Sequence, residues 1–269
     1  MKLFTNKKKL REEIGKINNI SFVPTMGFLH KGHESIIKKS VKGSGKTLVS
    51  IFVNPKQFNS RKDLKSYPRN TKNDIKILKK LKIDYLYKPS YADIYKFKTK
   101  NKIYLDKFAK ELCGQFRKGH FKGVIDVVNR LLEITNPKRI LLGNKDFQQL
   151  YLIKKHIMKN KIKTQVFPCK TIRDKNFIAY SSRLKKLNHN EKTKLIKIIK
   201  VLKKYKKDLI LKKQIYNFSK IKKKIISIGA KNVDYIKLID LETLKKPKKN
   251  KFNLFYAFYI GNVRLIDNF

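Results

Sequence analysis

Residues 24–36 read PTMGFLHKGHESI, and this stretch decides the fold because it joins a predicted strand to a predicted helix. The apolar run ISFVPT at 20–25 is typical of a short buried strand, and HESIIKKSVK at 33–42 has a helical pattern. Two histidines, His30 and His33, flank a glycine at the junction. A helix N-terminus offers unpaired N–H groups and a partial positive charge to a phosphate, and two imidazoles can donate to the same ligand. We therefore predict a site for nucleotide phosphates, with two structural histidines at a turn as the alternative.

Strand and helix patterns continue to alternate up to about residue 170. Buried strands are predicted at 47–53, 85–89 and 139–143, and helical patterns lie between them, for example at 70–82 and 123–135. This βαβα order predicts an α/β fold, a doubly wound parallel sheet with helices on both faces. Ligands of such sheets bind beyond the carboxyl ends of the strands, so we expect the loops that follow strands to carry the site.

The sequence changes in character after about residue 170. Residues 184–227 predict helices rich in lysine, leucine and isoleucine, and residues 233–241 and 255–267 each predict a strand. We therefore predict two domains: residues 1–170 with the parallel sheet, and residues 171–269 as a smaller α+β domain.

The 269-residue chain carries a formal net charge of +49, which is typical of nucleic-acid-binding proteins. Only nine of its 68 basic residues are arginine, the residue that nucleic-acid readers use for bidentate contacts. The lysines spread over nearly every segment, including a predicted charged loop, KKPKKNK, at 245–251. Abundant lysine, isoleucine and asparagine with little alanine indicates a bias toward A/T-rich codons. We therefore expect no specific nucleic-acid partner.

Membrane insertion and secretion are not expected either. No stretch approaches the ~20 apolar residues that a membrane span needs, and the charged N-terminal residues lack the apolar core of a signal peptide. Cys113 and Cys169 are not spaced like zinc ligands and fit a reducing compartment better than a disulfide framework. These features predict a cytoplasmic protein.

The segment GNKDFQQL at 143–150 again places a glycine between a strand end and a helix start. Lys145 is placed to pair with a phosphate. Asp146 could accept from ribose hydroxyls or cap the helix, and the sequence leaves both roles open. Gln148 and Gln149 are unusual at a helix start for packing alone, and they suit a small polar substrate.

Two further segments bring polar side chains to predicted loops. The segment NPKQF at 54–58 follows the second strand and puts Gln57 at the same edge of the sheet. The segment YSSR at 180–183 combines two hydroxyls with one of the few arginines, which predicts a clamp on the distal phosphates of a nucleotide.

Seven segments, in this order, resemble those of the pantoate–β-alanine ligases (pantothenate synthetases), a family of the HxGH nucleotidyltransferase superfamily. They are PTMGFLHKGHESI at 24–36, SIFVNPKQF at 50–58, YPRNTKND at 67–74, GQFRKGHFKGV at 114–124, GNKDFQQL at 143–150, IRDKNFIAYSSR at 172–183, and NVRLIDN at 262–268. HxGH occurs in many nucleotidyltransferases, whereas VNPxQF and KDxQQL are specific to this family. The resemblance implies a Rossmann-like fold whose smaller C-terminal domain acts as a lid. It also implies ATP-dependent condensation of (R)-pantoate with β-alanine, through pantoyl adenylate, to pantothenate, AMP and pyrophosphate.

The resemblance assigns roles to individual residues. It implies that His33, His30 and Lys145 are catalytic, with His33 at the position of the family's catalytic histidine. Gln57 and Gln149 match the glutamines that bind pantoate, and Gln57 is also expected to contact β-alanine. The implied ATP-binding residues are Met26, Gly27, Phe28, Leu29, His30, Lys31, Gly32, His33, Gly143, Asn144, Lys145, Asp146, Ile172, Tyr180, Ser181, Ser182 and Arg183.

The resemblance further implies a homodimer and a Mg²⁺ ion carried on the triphosphate, with Asp74 as a candidate ligand. His120, in FRKGHF, lies in a segment that lines the pantoate side, and its role stays open. The carboxylate of Asp126 would repel an anionic substrate unless a base such as Arg130 pairs with it. The chain departs from the usual family pattern at Lys118, Asp126, Asn144 and Leu184.

Two rival functions would require different features of the sequence. Another HxGH adenylyltransferase would not need Gln57 and Gln149 in these settings. A nucleic-acid-binding protein would be expected to interleave aromatic residues with arginine on one face, a pattern the sequence lacks.

Overall fold

A computed structural model describes residues 1–213, 215–247 and 252–269 of the chain. Two compact units are present, Met1–Thr171 and Ile172–Phe269. Residues 248–251 of the charged loop predicted at 245–251 lie outside the described residues. In the described part, no helix is both long and apolar enough to cross a membrane.

The first unit alternates strands with helices. Its strands are β1 (Lys2–Phe4), β2 (Ile20–Thr25), β3 (Lys46–Ile51), β4 (Tyr85–Tyr87), β5 (Arg139–Gly143) and β6 (Gln165–Cys169). Its helices are α1 (Lys7–Ile14), α2 (Lys31–Lys42), α3 (Arg61–Lys65), α4 (Thr71–Lys80), α5 (Tyr91–Tyr95), α6 (Cys113–Phe116), α7 (His120–Thr135) and α8 (Phe147–Lys159). Short 3-10 turns lie at Pro55–Gln57, Lys107–Lys110 and Asn144–Asp146.

All six strands pair in parallel in the order β1-β4-β3-β2-β5-β6, which confirms the predicted doubly wound sheet. The chain builds outward from β2 through β3 to β4 and then returns to add β5 on the other side. The ladder between β2 and β3 runs over six pairs, but β2 and β5 pair only at Ser21↔Arg139 and Phe22↔Ile140. The two strands therefore stop pairing toward their carboxyl ends, at the switch point where such sheets bind ligands.

Side chains alternate across the sheet and pack against helices on each face. Val23, Val49 and Leu141 form one buried cluster with Ile37 of α2 and Leu78 of α4. The intervening strand residues, such as Phe22, Leu48 and Ile140, are buried as well, and helices α1, α7 and α8 supply further buried residues outside that cluster. Burial on both faces explains why the strands read as continuous apolar runs.

The second unit has a different architecture, with α9 (His189–Ile210), α10 (Phe218–Ile228), β7 (Asn232–Ile239), β8 (Asn253–Ile260) and β9 (Val263–Asn268). The three strands form an antiparallel sheet in the order β7-β8-β9, and residues of α9 and α10 share a buried core with them. The prediction of a single strand at 255–267 is wrong. Gly261, at a φ of +54°, turns the chain back, so that Ile260 pairs with Val263 in a hairpin.

Candidate active site

The loop after β2 has an unusual backbone that a buried carboxylate holds in place. Gly27 and Phe28 both adopt left-handed conformations, with φ values of +76° and +52°. Asp74, on α4, accepts the backbone N–H of Phe28 at 2.8 Å and that of Leu29 at 2.7 Å. A Cβ at position 27 would lie 3.0 Å from Asp74 Oδ2 and 3.0 Å from Ile51 Cγ2. The loop therefore requires glycine at this position and Asp74 beneath it.

These contacts give Asp74 a different role from the predicted magnesium ligand. Its side chain is 1% exposed, and both carboxylate oxygens accept backbone N–H groups. A magnesium ion needs oxygen ligands facing an open, hydrated position. In the residues that the structure describes, no group of three or more His, Cys, Asp or Glu side chains could hold a metal ion. Asp74 does not fit the metal and instead anchors the loop.

His30 and His33 lie side by side at the start of α2. Their ring centroids are 4.0 Å apart and their planes are inclined by 31°. His30 caps the helix, because its Nδ1 accepts the Gly32 N–H at 3.2 Å. A neutral ring with an accepting Nδ1 carries its proton on Nε2, so His30 presents Nε2–H as a donor. His33 Nδ1 is buried and has no hydrogen-bond partner among the described residues, which is rare for a buried polar atom.

Both imidazoles are neutral at physiological pH. Burial, followed by the charge of Lys145, lowers the pKa of His30 to about 4. Burial, the neighbouring His30 and the charge of Lys145 lower the pKa of His33 to about 3, although Asp146 opposes this effect. The pair therefore offers hydrogen bonds rather than full positive charges to a ligand.

The loop after β5 reaches the same place. Lys145 and Asp146 lie in the 3-10 turn that joins β5 to α8, and Lys145 Nζ is 3.1 Å from Asp146 Oδ1. Asp146 makes no side-chain cap to α8, so helix capping is not its role. Because Lys145 lowers the pKa of His30 and of His33, its ammonium lies within electrostatic reach of both rings. The structure thus brings the histidines of one loop and the lysine of another to one edge of the sheet.

Gln57 lies in the 3-10 turn after β3 and is 9% exposed. Its Nε2 is 2.8 Å from Met26 Sδ, and its Oε1 accepts from Asn54 Nδ2 at 3.3 Å. These contacts place Gln57 against the loop after β2. A thioether is a weak acceptor, so a substrate oxygen could replace it as the partner of the Gln57 amide.

The two glutamines of the first turn of α8 differ in their surroundings. Gln148 is 6% exposed, and its side-chain amide bonds only main-chain groups. It donates to the carbonyls of Phe108 and Glu111 and accepts from the Cys113 N–H. Gln149 is partly buried, and its side-chain amide makes no hydrogen bond to the described residues. Of the pair predicted to suit a polar substrate, Gln148 is structural and Gln149 has an amide to offer.

The remaining predicted site residues belong to the second unit and come together within it. The backbone N–H of Tyr180 donates to the Ile172 carbonyl at 3.2 Å, at the open end of a short hairpin. Ser181 caps the following 3-10 turn, Ser182–Lys186, by accepting the Arg183 N–H. The Arg183 guanidinium donates to the Arg264 carbonyl of β9 at 3.1 Å.

Asp126, a departure from the family pattern, is paired with basic side chains in the structure. Its carboxylate accepts from Arg130 Nε at 2.7 Å, as the spacing predicted, and lies 3.5 Å from Lys56 Nζ. The repulsion expected from an unpaired carboxylate therefore does not arise.

Sequence reasoning missed Asn54 as a supporting residue. It is 1% exposed, caps the turn that carries Gln57, and donates to the Gly123 carbonyl of α7 at 3.0 Å. Tyr95 Oη donates to its Oδ1 at 2.8 Å. The available signal was an asparagine directly after the strand predicted at 47–53 and before a proline, where asparagine side chains organise turns.

Known proteins are similar to this chain over nearly its whole length. The family model Pantoate-beta-alanine ligase matches residues 2–269. Pantothenate synthetase of Flavobacterium psychrophilum is 40% identical over 256 residues, covering 93% of this chain and 90% of the relative. Pantothenate synthetase of Endomicrobium trichonymphae is 38% identical over 276 residues, covering 100% of this chain and 97% of the relative.

Solved structures agree with the sequence comparison. The crystal structure of pantoate-beta-alanine ligase from Francisella tularensis, complexed with beta-gamma ATP and beta-alanine, is 38% identical, with a TM-score of 0.86 over 100% of this chain and 97% of that one. Pantothenate synthetase from Thermus thermophilus is 25% identical, with a TM-score of 0.88 over 100% and 99% of the two chains. With its sheet, its loops and these relatives considered together, the chain belongs to the pantoate-beta-alanine ligase family.

Proposed function

We propose that this chain condenses pantoate with β-alanine at the expense of ATP, giving pantothenate, AMP and pyrophosphate through a pantoyl-adenylate intermediate. Membership of the family and the 35–40% identity to named pantothenate synthetases support this reaction. A carboxylate is a poor acyl donor at neutral pH, and adenylation supplies a good leaving group.

In the first step, a pantoate carboxylate oxygen attacks the α-phosphorus of ATP. The bond from that phosphorus to the oxygen that bridges the α- and β-phosphorus atoms breaks, and pyrophosphate leaves. Negative charge shifts on the α-phosphate during the transfer, so catalysis depends on positioning and on donors aimed at those oxygens. His33 and His30 would supply neutral N–H donors, and Lys145 would supply the positive charge.

In the second step, the amine of β-alanine attacks the acyl carbon of the adenylate. The bond from that carbon to the AMP oxygen breaks, and the nitrogen loses a proton as the amide forms. Gln57 and Gln149 would hold the pantoyl group through both steps, since each can offer a carboxamide to hydroxyl and carboxylate groups. Gln57 would also contact the incoming β-alanine.

One observation carries this proposal. Loops that follow β2 and β5 meet at the point where the ladder between those strands has ended, and the Lys145 charge lowers the pKa of both adjacent histidines there. Gln57 contacts the same β2 loop through Met26. Hydrogen-bond donors suited to a phosphate and a carboxamide suited to an acid are thus gathered at one edge of the sheet. Adenylation of an acid requires both.

Other features stay predictions from the family resemblance. One of them is ATP binding by the backbone and side chains of residues 26–33, 143–146, 172 and 180–183. The others are the lid role of the second unit, the homodimer and the cytoplasmic location. Mg²⁺ would arrive on the triphosphate and neutralise part of its charge. We assign it no protein ligand, because Asp74 does not fit that role.

Isotope exchange between ATP and pyrophosphate tests the proposed function. The assay detects reversal of the first step, so exchange should depend on added pantoate and should not need β-alanine. Exchange that proceeds without pantoate would point to a different adenylyltransferase. No exchange with pantoate present would refute the proposal.

A further inference from the structure

The segment 117–120, RKGH, has no part in the reaction described so far, yet its Arg117 and His120 side chains contact each other and the main chain of Gln57. His120 Nδ1 lies 2.7 Å from the Gln57 carbonyl oxygen. Arg117 Nη1 lies 2.9 Å from His120 Nε2, and Arg117 Nη2 donates to the same Gln57 carbonyl at 3.3 Å. His120 is 8% exposed, so its ring is largely shielded from water, whereas Arg117 is half-buried.

The donors and acceptors of this set are determined by chemistry. An arginine guanidinium can only donate, so His120 Nε2 must accept from Arg117. A neutral imidazole that accepts through Nε2 carries its proton on Nδ1, which then donates to the Gln57 carbonyl. Arg117 therefore selects the tautomer of His120 and adds its own hydrogen bond to the same oxygen. The buried carbonyl receives two donors, one of them charged, which is a strong combination.

The turn that carries Gln57 is held against α7 at two further points. A Cβ at Gly123, in the first turn of α7, would lie 2.2 Å from the Lys56 carbonyl oxygen, so the two backbones are in direct contact. On the other side of the turn, Asn59 Nδ2 donates to the Lys118 carbonyl at 2.7 Å. The chain on both sides of Gln57 is thus held against residues 117–123, by close packing at Lys56 and by the Asn59 side chain.

We propose that His120, held in one tautomer by Arg117, is a positioning residue that fixes the main chain of Gln57 and so orients its carboxamide toward pantoate. The proposal rests on the proposed function, in which Gln57 binds that acid. A three-residue turn has no helix to continue it, so the direction of the Gln57 side chain depends on what holds its carbonyl. Neither His120 nor Arg117 needs to touch substrate for this.

Kinetics of three variants test the proposal. His120→Ala removes the donor and should raise the KM for pantoate in the exchange assay by about 10- to 100-fold, because small misplacements of binding groups are costly. The KM for ATP should stay within about twofold, since the histidine–lysine loops are untouched. His120→Asn should recover most of the loss, because its amide N–H can replace Nδ1–H. Arg117→Gln should have an intermediate effect.

A double-mutant cycle separates action through Gln57 from any independent effect. If His120 acts only by placing Gln57, the variant His120→Ala/Gln57→Ala should match Gln57→Ala within about twofold in pantoate KM. Losses that multiply would overturn the proposal. The matched control is His156→Asn, which changes another buried histidine that bonds main chain and should lower stability without changing the pantoate KM.

A spectroscopic measurement is independent of activity and of how the variants fold. Long-range ¹H–¹⁵N spectra of the wild-type imidazoles should show His120 protonated at Nδ1, and protonation at Nε2 would overturn the proposal. The two levels of inference fail differently. If the wild type lacks pantoate-dependent exchange, the proposed function fails; if the wild type is active but His120→Ala leaves the pantoate KM unchanged, only the positioning role fails.

Discussion

Two neutral imidazoles beside one ammonium are a suitable set for an α-phosphate whose negative charge redistributes during the reaction. Protonated rings 4.0 Å apart would repel each other, and burial prevents that state by lowering the pKa of His33 to about 3 and of His30 to about 4. The N–H donors are then in place before the substrate binds, so no reorganisation is needed at the transition state. In the proposed function, Lys145 would supply the positive charge beside them.

Replacing His33 tests this assignment at the level of one side chain. His33→Ala should reduce the rate of pantoate-dependent exchange by about 10²–10³, the usual cost of losing one preorganised donor. His189→Ala is the matched control, because that histidine is exposed at the start of α9 in the second unit. An unchanged rate in His33→Ala would remove this histidine from the mechanism.

Gly27 and Gly119 allow backbone strain to be separated from steric contact. Both are left-handed, with φ values of +76° and +78°, but a Cβ at position 27 would meet Asp74 and Ile51 at 3.0 Å, whereas one at 119 would meet no atom within 4 Å. Gly119→Ala should cost about 1 kcal/mol of unfolding free energy from strain alone. Gly27→Ala should cost about 1–3 kcal/mol more from crowding. Equal losses in urea unfolding would show that Asp74 does not restrict this loop.

The candidate site was only partly predictable from its residues. His30, His33, Lys145 and Gln57 could be proposed because each follows a strand in a short polar loop. The role of Asp74 could not, because its partners Phe28 and Leu29 lie more than 40 positions earlier and nothing local indicates the contact. From sequence alone, a carboxylate near a nucleotide site is predicted to be a metal ligand. Its burial and its hydrogen bonds are needed to show a different role.

At the level of elements, α7 is the platform for the turn after β3. Its first turn bonds the Gln57 carbonyl through His120, and its Gly123 lets the Lys56 carbonyl approach directly. Asn54 closes the contact by donating to the Gly123 carbonyl at 3.0 Å. The helix thereby fixes a loop that lies 63 positions earlier in the sequence.

Gly123→Ala should break this contact, because the new Cβ would lie 2.2 Å from a main-chain oxygen that cannot move independently. The expected loss of unfolding free energy is about 1–3 kcal/mol, although glycine to alanine inside a helix ordinarily gains up to about 1 kcal/mol. The sign of the change is therefore diagnostic. Urea unfolding of this variant and of Lys122→Ala, an exposed neighbour on α7, provides the comparison; a more stable Gly123→Ala would contradict the packing described here.

The elements themselves were predictable where the pattern was long and missed where it was short. Strands β2, β3 and β5 are apolar runs between turn signals, and their burial on both faces makes such runs unambiguous. Strand β1 was missed, since three residues at a half-exposed edge of the sheet carry no periodicity. The hairpin of β8 and β9 was predicted as one strand because only Gly261 interrupts its apolar sequence.

At the scale of the whole molecule, buried neutral histidines link stability to pH. His156 is fully buried, with Nδ1 accepting the Tyr104 N–H at 3.2 Å and Nε2 bonded to Asn129 Oδ1 at 3.1 Å. Burial lowers its pKa to about 4, and burial also lowers the pKa of His30 and His33. Unfolded histidines take up protons below about pH 6.5, whereas these folded ones do not until about pH 4 or lower.

The unfolded state therefore binds more protons between about pH 6.5 and 4, and the free energy of unfolding should fall as the pH falls through that window. His156→Asn should reduce this slope by up to about 1.4 kcal/mol per pH unit, the contribution of one proton. Urea unfolding at several pH values measures the slope, and His189→Ala serves as the control. Identical slopes for the wild type and His156→Asn would show that His156 protonates equally in both states.

In the proposed reaction, loops from separate parts of the chain surround one phosphorus atom and one acid. The most direct measurement is a crystal structure with a non-hydrolysable ATP analogue and pantoate. His33 and Lys145 should lie within hydrogen-bond distance, about 3 Å, of the α-phosphate oxygens, and the carboxamides of Gln57 and Gln149 should bond the pantoate. An α-phosphate bound elsewhere, with His33 and Lys145 both out of reach, would contradict the claim.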